Sequence, residues 1–277
     1  KVLRSDTLRS YRSYAKMFLK WLDDTGRTQL LTIEFTKPLV IEFLDHIYFD
    51  KKRSPRTSNN YLAFLNQFGF FMVDHNFISD NPISKIPSRK TNKKKREVIP
   101  SDVLETIFEF QKEQNFSYYV LMLIVYCCFI RRTELTLLKV EHINLEGDTI
   151  FIPKEVAKNS KDAFVTIPRR LKKELAKHID GANNKDYIFS SSEFKTGTSR
   201  LAPKKVSDEW TKTRNVLNFK KTYQFYSLKD TGITTMFLLN IPTIKIRDQA
   251  RHHDIRVTET YTPRLSKSDD TIADLMF

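Results

Sequence analysis

The sequence predicts a mainly helical (mainly α) fold with a small antiparallel β-sheet, divided into two domains. Over most of the 277 residues, apolar side chains recur every three or four positions, which is typical of amphipathic helices. Two short runs rich in β-branched and aromatic residues, joined by a polar turn, indicate a pair of strands. A basic segment bounded by prolines, residues 87–100, separates an all-helical first part from this mixed second part.

The first part, residues 1–86, predicts a helical bundle. Residues 5–26 place their apolar side chains on one helical face, and Gly26 ends the pattern. Residues 36–50, with Thr36 as the N-terminal cap, and residues 56–76 predict two further helices. The positions on the apolar face of the first helix are Leu8, Tyr11, Ala15, Phe18 and Leu22.

The second part, residues 101–277, predicts helices around the small sheet. Strands are expected in "DTIFIPK" and "AFVTIP", on either side of the polar turn "EVAKNSKD", and a short strand in "YIFS". The segment 117–130 is apolar on nearly all sides, so it should form a central, buried helix. The remaining helices are expected at 101–114, 169–180, 203–217, 228–240 and 242–251.

The charge of the chain favours a polyanionic partner. The formal net charge is +14 and the pI is about 9.6, which is typical of nucleic-acid binding and less often of binding to an anionic membrane. The interdomain segment 87–100 is either a solvated linker or a linker that also lies along a phosphate backbone. Its candidate backbone-contacting cations are Arg89, Lys90, Lys93, Lys94, Lys95 and Arg96.

Several classes of protein do not fit the sequence. The six glycines lie too far apart for a dinucleotide-binding or Walker A loop, and no cluster has an obvious metal-ligand spacing. The longest apolar run, residues 118–130, is shorter than the roughly 20 residues that cross a bilayer. The cysteines, Cys127 and Cys128, are adjacent and lie within that run, and no signal-peptide pattern opens the sequence. These features predict a reduced protein of the cytoplasm.

Two motifs resemble those of the tyrosine recombinase (phage integrase) family. In "IRRTELTLLKVEHINL" an arginine precedes a Glu-Leu pair by three residues, which identifies Arg131 and leaves Arg132 as a solvated or DNA-flanking neighbour. In "QARHHDIRVTETYT" a histidine stands nine residues before a tyrosine, as in the family, which identifies His252 and Tyr261 with His253 as the neighbour. The resemblance extends over nearly the whole chain.

Three further positions follow from the resemblance, and two of them depart from the family pattern. The family's His-x-x-Arg box corresponds to "YSLKDTGIT", where Tyr226 replaces the histidine and Lys229 the arginine. The family's hairpin lysine corresponds to Lys158 in "AKNSKD", with Lys161 as the alternative. A smaller departure is Phe129, at a position where the family usually has glycine.

The resemblance implies a fold and a chemistry. A helical, SAM-like core-binding domain and an α+β catalytic domain would form a C-shaped clamp around duplex DNA. Arg131 and Lys229 would hold the scissile phosphate, and His252 would donate a hydrogen bond to it. Lys158 would protonate the 5′-hydroxyl leaving group, and Tyr261 would form a 3′-phosphotyrosyl link. Neither a metal ion nor a nucleotide cofactor would be needed.

The resemblance also implies partners and leaves two other functions open. A divergent bacterial or mobile-element recombinase would act in the cytosol or nucleoid as a tetramer on two DNA sites, with possible accessory DNA-bending or directionality factors. The tetramer would exchange the segment "SKSDDTIADLMF", through Ile272, Leu275, Met276 and Phe277. The alternatives are a type IB topoisomerase-like relaxase and a DNA-binding homologue whose catalysis is impaired by Tyr226 and Lys229.

Overall fold

The computed structural model describes residues 5–91 and 97–262, and the chain divides into two units between Lys94 and Lys95. Two predictions lie outside the described residues. They are the contacts of residues 93–96 with a DNA phosphate backbone and the exchange of residues 266–277 between subunits. None of the described helices combines the length and the apolar character that crossing a bilayer requires.

Three helices form the first unit, as the sequence predicts. They are α1 (Ser5–Asp24), α2 (Lys37–Asp45) and α3 (Pro55–Asp74), and α2 continues into a π-helical turn, His46–Asp50. Ser54 caps α3, because its hydroxyl accepts a hydrogen bond from the Thr57 amide at 3.2 Å. The core between the helices is rich in aromatic rings, among them Phe18, Trp21, Phe35, Phe43 and Tyr61.

Arg89 is bound by the first unit. Its guanidinium donates to the Asp45 carboxylate and to the Ser58 hydroxyl, and lies 4.4 Å from the centre of the Tyr48 ring. Its main chain exchanges two hydrogen bonds of 2.9 Å with the Asn59 side chain. The interdomain segment therefore begins packed on the first unit, and one predicted DNA contact already has protein partners.

A central buried helix organises the second unit. Helix α5 (Phe116–Cys128) buries nearly every side chain, as its sequence predicts, and packs against α4, α7 and α9. It ends at Cys128 because Phe129 adopts a left-handed conformation, with φ of 56°. The other helices are α4 (Ser101–Gln114), α6 (Arg132–Leu135), α7 (Arg169–Ile179), α8 (Pro203–Leu217), α9 (Ser227–Leu238), α10 (Thr243–Ala250) and α11 (Ile255–Glu259).

The sheet of the second unit is antiparallel with the order β1-β2-β3. Strands β2 (Thr149–Ile152) and β3 (Ala163–Thr166) are the predicted pair, and the two-residue β1 (Ile143–Asn144) adds to β2. The predicted strand in "YIFS" is wrong. Tyr187 and Ser190 make only isolated bridges to flanking segments, because no neighbouring chain runs alongside for long enough to form a ladder.

Helices α5 and α9 approach closely at Gly232. A Cβ atom built on this glycine would lie 1.9 Å from the carbonyl oxygen of Tyr126 and 2.8 Å from the Phe129 ring. The main-chain oxygen cannot give way without moving α5, so the contact requires glycine.

We expect Gly232→Ala to destabilise the second unit by roughly 3 kcal/mol or more, because helix α9 must move away from α5. Urea unfolding monitored by circular dichroism measures this change. Thr234→Ala on the same helix removes only a hydroxyl that donates to the Asp230 carbonyl, and should cost roughly 1 kcal/mol or less. Equal unfolding midpoints for the two variants would contradict the close approach.

Candidate active site

A sharp reversal of the chain presents Arg131. Helix α5 ends at the left-handed Phe129, and Arg131 is the residue that precedes the short helix α6. The left-handed conformation costs a residue with a Cβ roughly 1–2 kcal/mol. Here the Phe129 ring is fully buried in a small cluster with Ile233 and Ile246, and this burial offsets the cost.

The buried carboxylate of Glu134 connects three segments of the site. It accepts hydrogen bonds from the Arg131 amide at 3.1 Å and from Arg131 Nη1 at 3.0 Å. It also accepts from the Lys158 amide at 2.9 Å and from Arg251 Nη2 at 2.5 Å. Both carboxylate oxygens are therefore saturated, and only 1% of the side chain is exposed.

Glu134 remains ionised because of these donors. Burial alone would raise its pKa, but the hydrogen bond and charge of Arg251, the Lys158 amide and the charge of Arg131 together lower the pKa to about 2. At neutral pH the carboxylate is thus a fixed negative charge that orients two guanidinium groups.

Lys229 is buried, and its ammonium is directed at main-chain carbonyls. Nζ donates to the Phe129 oxygen at 2.9 Å and to the Ala250 oxygen at 3.3 Å. Burial lowers the pKa of Lys229 to about 7, and the nearby charges of Arg131 and Arg251 lower it further against the opposing effect of Glu134. The lysine thus joins the residue that ends α5 to the last residue of α10.

His252 and Tyr261 lie side by side after α10. Their rings are nearly parallel, with centroids 6.1 Å apart, and His252 Nδ1 is 2.9 Å from the Thr258 hydroxyl. Burial lowers the pKa of His252 to about 4, and the positive charges of Lys229 and Arg131 act in the same direction. The imidazole is therefore neutral at pH 7, while the neighbouring His253 is exposed.

The other predicted site residues lie at the edge of this cluster. Lys158 and Lys161 are both exposed in the turn between β2 and β3, but only Lys158 is tied by its amide to Glu134. Tyr226 is the half-buried residue before α9, one turn ahead of Lys229.

Arg132, which we expected to be a solvated or DNA-flanking side chain, is only partly exposed. Its guanidinium donates to the Ser207 hydroxyl of α8. The two adjacent arginines therefore face different partners, Arg131 towards Glu134 and Arg132 towards α8.

Arg251 belongs to the site but was not among the predicted residues. It follows the last residue of α10 with a left-handed φ of 55°, and its side chain is 4% exposed. In the sequence it resembles a surface cation at a helix end. Its proximity to His252 is the only sequence signal that could have drawn attention to it.

The arrangement is suited to an anion. Arg131, Arg251 and Lys229 surround one carboxylate, so positive charge exceeds negative charge in a largely buried site. Among the described residues, no group of three or more His, Cys, Asp or Glu side chains could hold a metal ion. Guanidinium groups bind the oxygens of a phosphodiester through paired donors, and a tyrosine stands beside them.

A family model supports the same interpretation. The model described as "Phage integrase family" matches residues 97–267, more than half of the chain. The chain belongs to this family. The predicted family, fold class and enzyme type, a tyrosine-type recombinase, are thereby confirmed.

Individual relatives agree with this assignment. A tyrosine recombinase of Thermosipho africanus is 24% identical over 262 residues, which cover 92% of this chain and 88% of the relative. A lambda integrase tetramer bound to a Holliday junction superposes with a TM-score of 0.75 at 14% identity, covering 98% of this chain and 76% of that one. The Tn1549 transposon integrase bound to transposon right-end DNA gives 0.74 at 12% identity, covering 98% and 92%.

The buried ammonium of Lys229 should make stability depend on pH. Below about pH 7 both the folded and the unfolded chain hold its proton. Above this, the folded chain releases the proton whereas the unfolded chain keeps it up to about 10.5. Because the unfolded state then binds more protons, the free energy of unfolding should rise with pH by roughly 1 kcal/mol per unit.

Urea unfolding at pH 7, 8 and 9 measures this rise. Lys229→Met has no titratable group at this position, so its unfolding free energy should lack this contribution while all other titrations are shared. Parallel pH profiles for the two proteins would show that Lys229 keeps its proton in the folded state.

Proposed function

We propose that this protein is a site-specific DNA recombinase that cleaves and rejoins strands through a 3′-phosphotyrosyl intermediate at Tyr261. The proposal rests on one observation above all. Tyr261 stacks on His252 beside an anion-binding cluster, and Arg131 is held in that cluster by Glu134. A nucleophile, a neutral hydrogen-bonding group and cations are the parts that phosphoryl transfer requires.

The first step forms one bond and breaks one. The phenolic oxygen of Tyr261 attacks phosphorus, its proton leaves to water, and the bond to the 5′-oxygen breaks. The ammonium of Lys158 gives a proton to that oxygen and regains one from solvent. The product is a tyrosyl ester on the 3′ end of the strand and a free 5′-hydroxyl, and the reverse reaction with another 5′-hydroxyl rejoins strands.

His252 acts in this proposal as a neutral donor. Its low pKa means that it carries no charge at pH 7, so it adds a hydrogen bond to the phosphate rather than a cation. The Thr258 hydroxyl lies 2.9 Å from Nδ1. In the proposed mechanism it donates to Nδ1, so that the imidazole proton lies on Nε2 and is donated to a phosphate oxygen. Thr258 is fully buried and fixes this tautomer in the proposed mechanism.

The placement of Lys158 depends on Glu134. The Lys158 amide bonds to the same carboxylate oxygen as Arg131 Nη1, so the β2–β3 turn is tied to the phosphate-binding residue. The turn is also closed by the Asp162 carboxylate, which accepts from the Lys154 amide at 2.6 Å. Lys161 has no tie to Glu134 among the contacts of the described residues, and this favours Lys158 as the acid.

The proposed substrate is duplex DNA. The net charge of +14 suits a polyanion, and solved relatives include integrases bound to transposon ends and to core sites. A tetramer on two DNA sites is proposed by analogy with the lambda integrase tetramer on a Holliday junction. Accessory DNA-bending factors and a bacterial cytosolic location are part of the same proposal.

Covalent capture tests the nucleophile. Short duplexes of random sequence, each carrying one nick, are incubated with protein and then denatured. Cleavage near a nick releases a short fragment, so the adduct cannot reverse. Wild type should retain a set of related sequences in covalent complex, and Tyr261→Phe should retain none.

The control for this experiment is Tyr187→Phe, which alters a half-buried tyrosine in a different part of the unit. It should capture the same sequences as wild type. If wild type captures no DNA, the proposed phosphotyrosyl mechanism at Tyr261 is overturned.

The adjacent arginines provide a second test. Arg131→Ala should lower the rate of adduct formation by about 100-fold or more, because it removes a charged donor from the phosphate site. Arg132→Ala loses only the Ser207 contact and should keep the rate within roughly tenfold of wild type. Single-turnover cleavage of a captured sequence measures both rates. Equal losses would refute the distinct roles of the two residues.

A further inference from the structure

Two buried donor atoms of Arg251 have no hydrogen-bond partner in the part of the chain that the structure describes. Its Nη2 is bound to Glu134 at 2.5 Å, but within the described residues its Nε and Nη1 have no hydrogen-bond partner. An unpaired buried donor costs roughly 1–3 kcal/mol, and a charged group costs more. Two such donors on one guanidinium indicate a partner beyond the residues described, and an anion is the group that suits them.

The surroundings of Arg251 place these donors within the anion-binding cluster. Arg131 binds the other oxygen of the same carboxylate, so Glu134 holds two guanidinium groups side by side. His252 is the next residue in the chain. The ammonium of Lys229 lies close enough to both arginines for their charges to lower its pKa. An anion that fits between these groups must be held by several cations at once.

Lys229 is poorly placed to act as the second cation on the phosphate. Two of the three donor directions of its ammonium are already taken by the carbonyls of Phe129 and Ala250. Arg251, by contrast, has N–H groups at Nε and Nη1 without a partner among the described residues, on a planar guanidinium that can donate to phosphodiester oxygens. The guanidinium contact to phosphate that the family's arginine would make from position 229 can therefore be made from position 251.

We propose that Arg251 supplies the second guanidinium contact to the scissile phosphate, with Nη2 anchored on Glu134 and either Nε or Nη1 donating to a non-bridging oxygen. This inference rests on the proposed recombinase function. Lys229 then acts as a positioning residue, because it holds the carbonyls on either side of the site. Arg131, which shares the Glu134 carboxylate with Arg251, and His252, the next residue in the chain, are both more exposed than Arg251.

The test compares two linkages at the scissile position. A nicked duplex captured by wild type is prepared with the normal phosphate and with a methylphosphonate, in which a neutral methyl replaces one charged oxygen. Arg251→Ala should slow adduct formation on the phosphate by about 100-fold or more. On the neutral linkage its rate should come within roughly tenfold of wild type, because the charge that Arg251 neutralises is gone.

A merely structural role gives a different pattern. If Arg251 only supports Glu134, its loss slows cleavage of both linkages by the same factor, and the inference is overturned while the recombinase function stands. Arg247→Ala is the matched control, since Arg247 lies on α10 and pairs with the exposed Asp248. It should leave both rates unchanged.

A second variant, Arg251→Lys, tests the proposal if Arg251→Ala does not fold. Arg251→Lys keeps one cation opposite Glu134 but lacks the donors at Nε and Nη1, so it should show the same selective loss on the phosphate. Thermal melting by circular dichroism establishes which variants are folded. If wild type forms no adduct on either linkage, the proposed function itself fails, and the role of Arg251 fails with it.

Discussion

The ionised carboxylate of Glu134 is the interaction on which the site depends. It binds Arg131 three residues earlier, Lys158 in the hairpin turn and Arg251 near the end of the described chain. These segments are brought together from positions 117 residues apart. A buried carboxylate is stable only while its donors are present, and the buried arginine is stable only while the carboxylate is charged. Each side therefore requires the other.

A second connection runs through the backbone. Phe129 and Arg251 both adopt left-handed conformations, and the carbonyls of Phe129 and Ala250 are bridged by the ammonium of Lys229. Helix α9 can bring this lysine between the two segments only because Gly232 allows it to lie against α5. The side chain of Lys229 thus fixes the distance between two reversals of the chain, one before Arg131 and one at Arg251.

Much of this fold could be predicted from the sequence because long amphipathic or wholly apolar helices have a clear signature. The four-residue α6 and five-residue α11 are too short to show a period, and they were not predicted. The "YIFS" segment has strand composition, but pairing depends on a neighbour that the sequence does not specify.

The site residues also divide into those that the sequence identifies and those that it does not. Arg131, His252 and Tyr261 were identified through the resemblance to the family's motifs, and the structure brings them to one cluster. Lys229 was identified too, but its direction depends on carbonyls contributed by other segments. Arg251 was missed because its burial follows from a carboxylate far away in the chain. Long-range charge pairing is set by tertiary packing, and a single sequence contains no local pattern for it.

The left-handed backbone of Arg251 has a consequence for how this position can change. Glycine and asparagine adopt this conformation at little cost, whereas arginine does so with strain and with unpaired donors. Replacement by glycine or asparagine relieves the backbone but leaves the buried Glu134 charge without its guanidinium partner. A change at Arg251 therefore exchanges one cost, a strained backbone, for another, an unpaired buried charge.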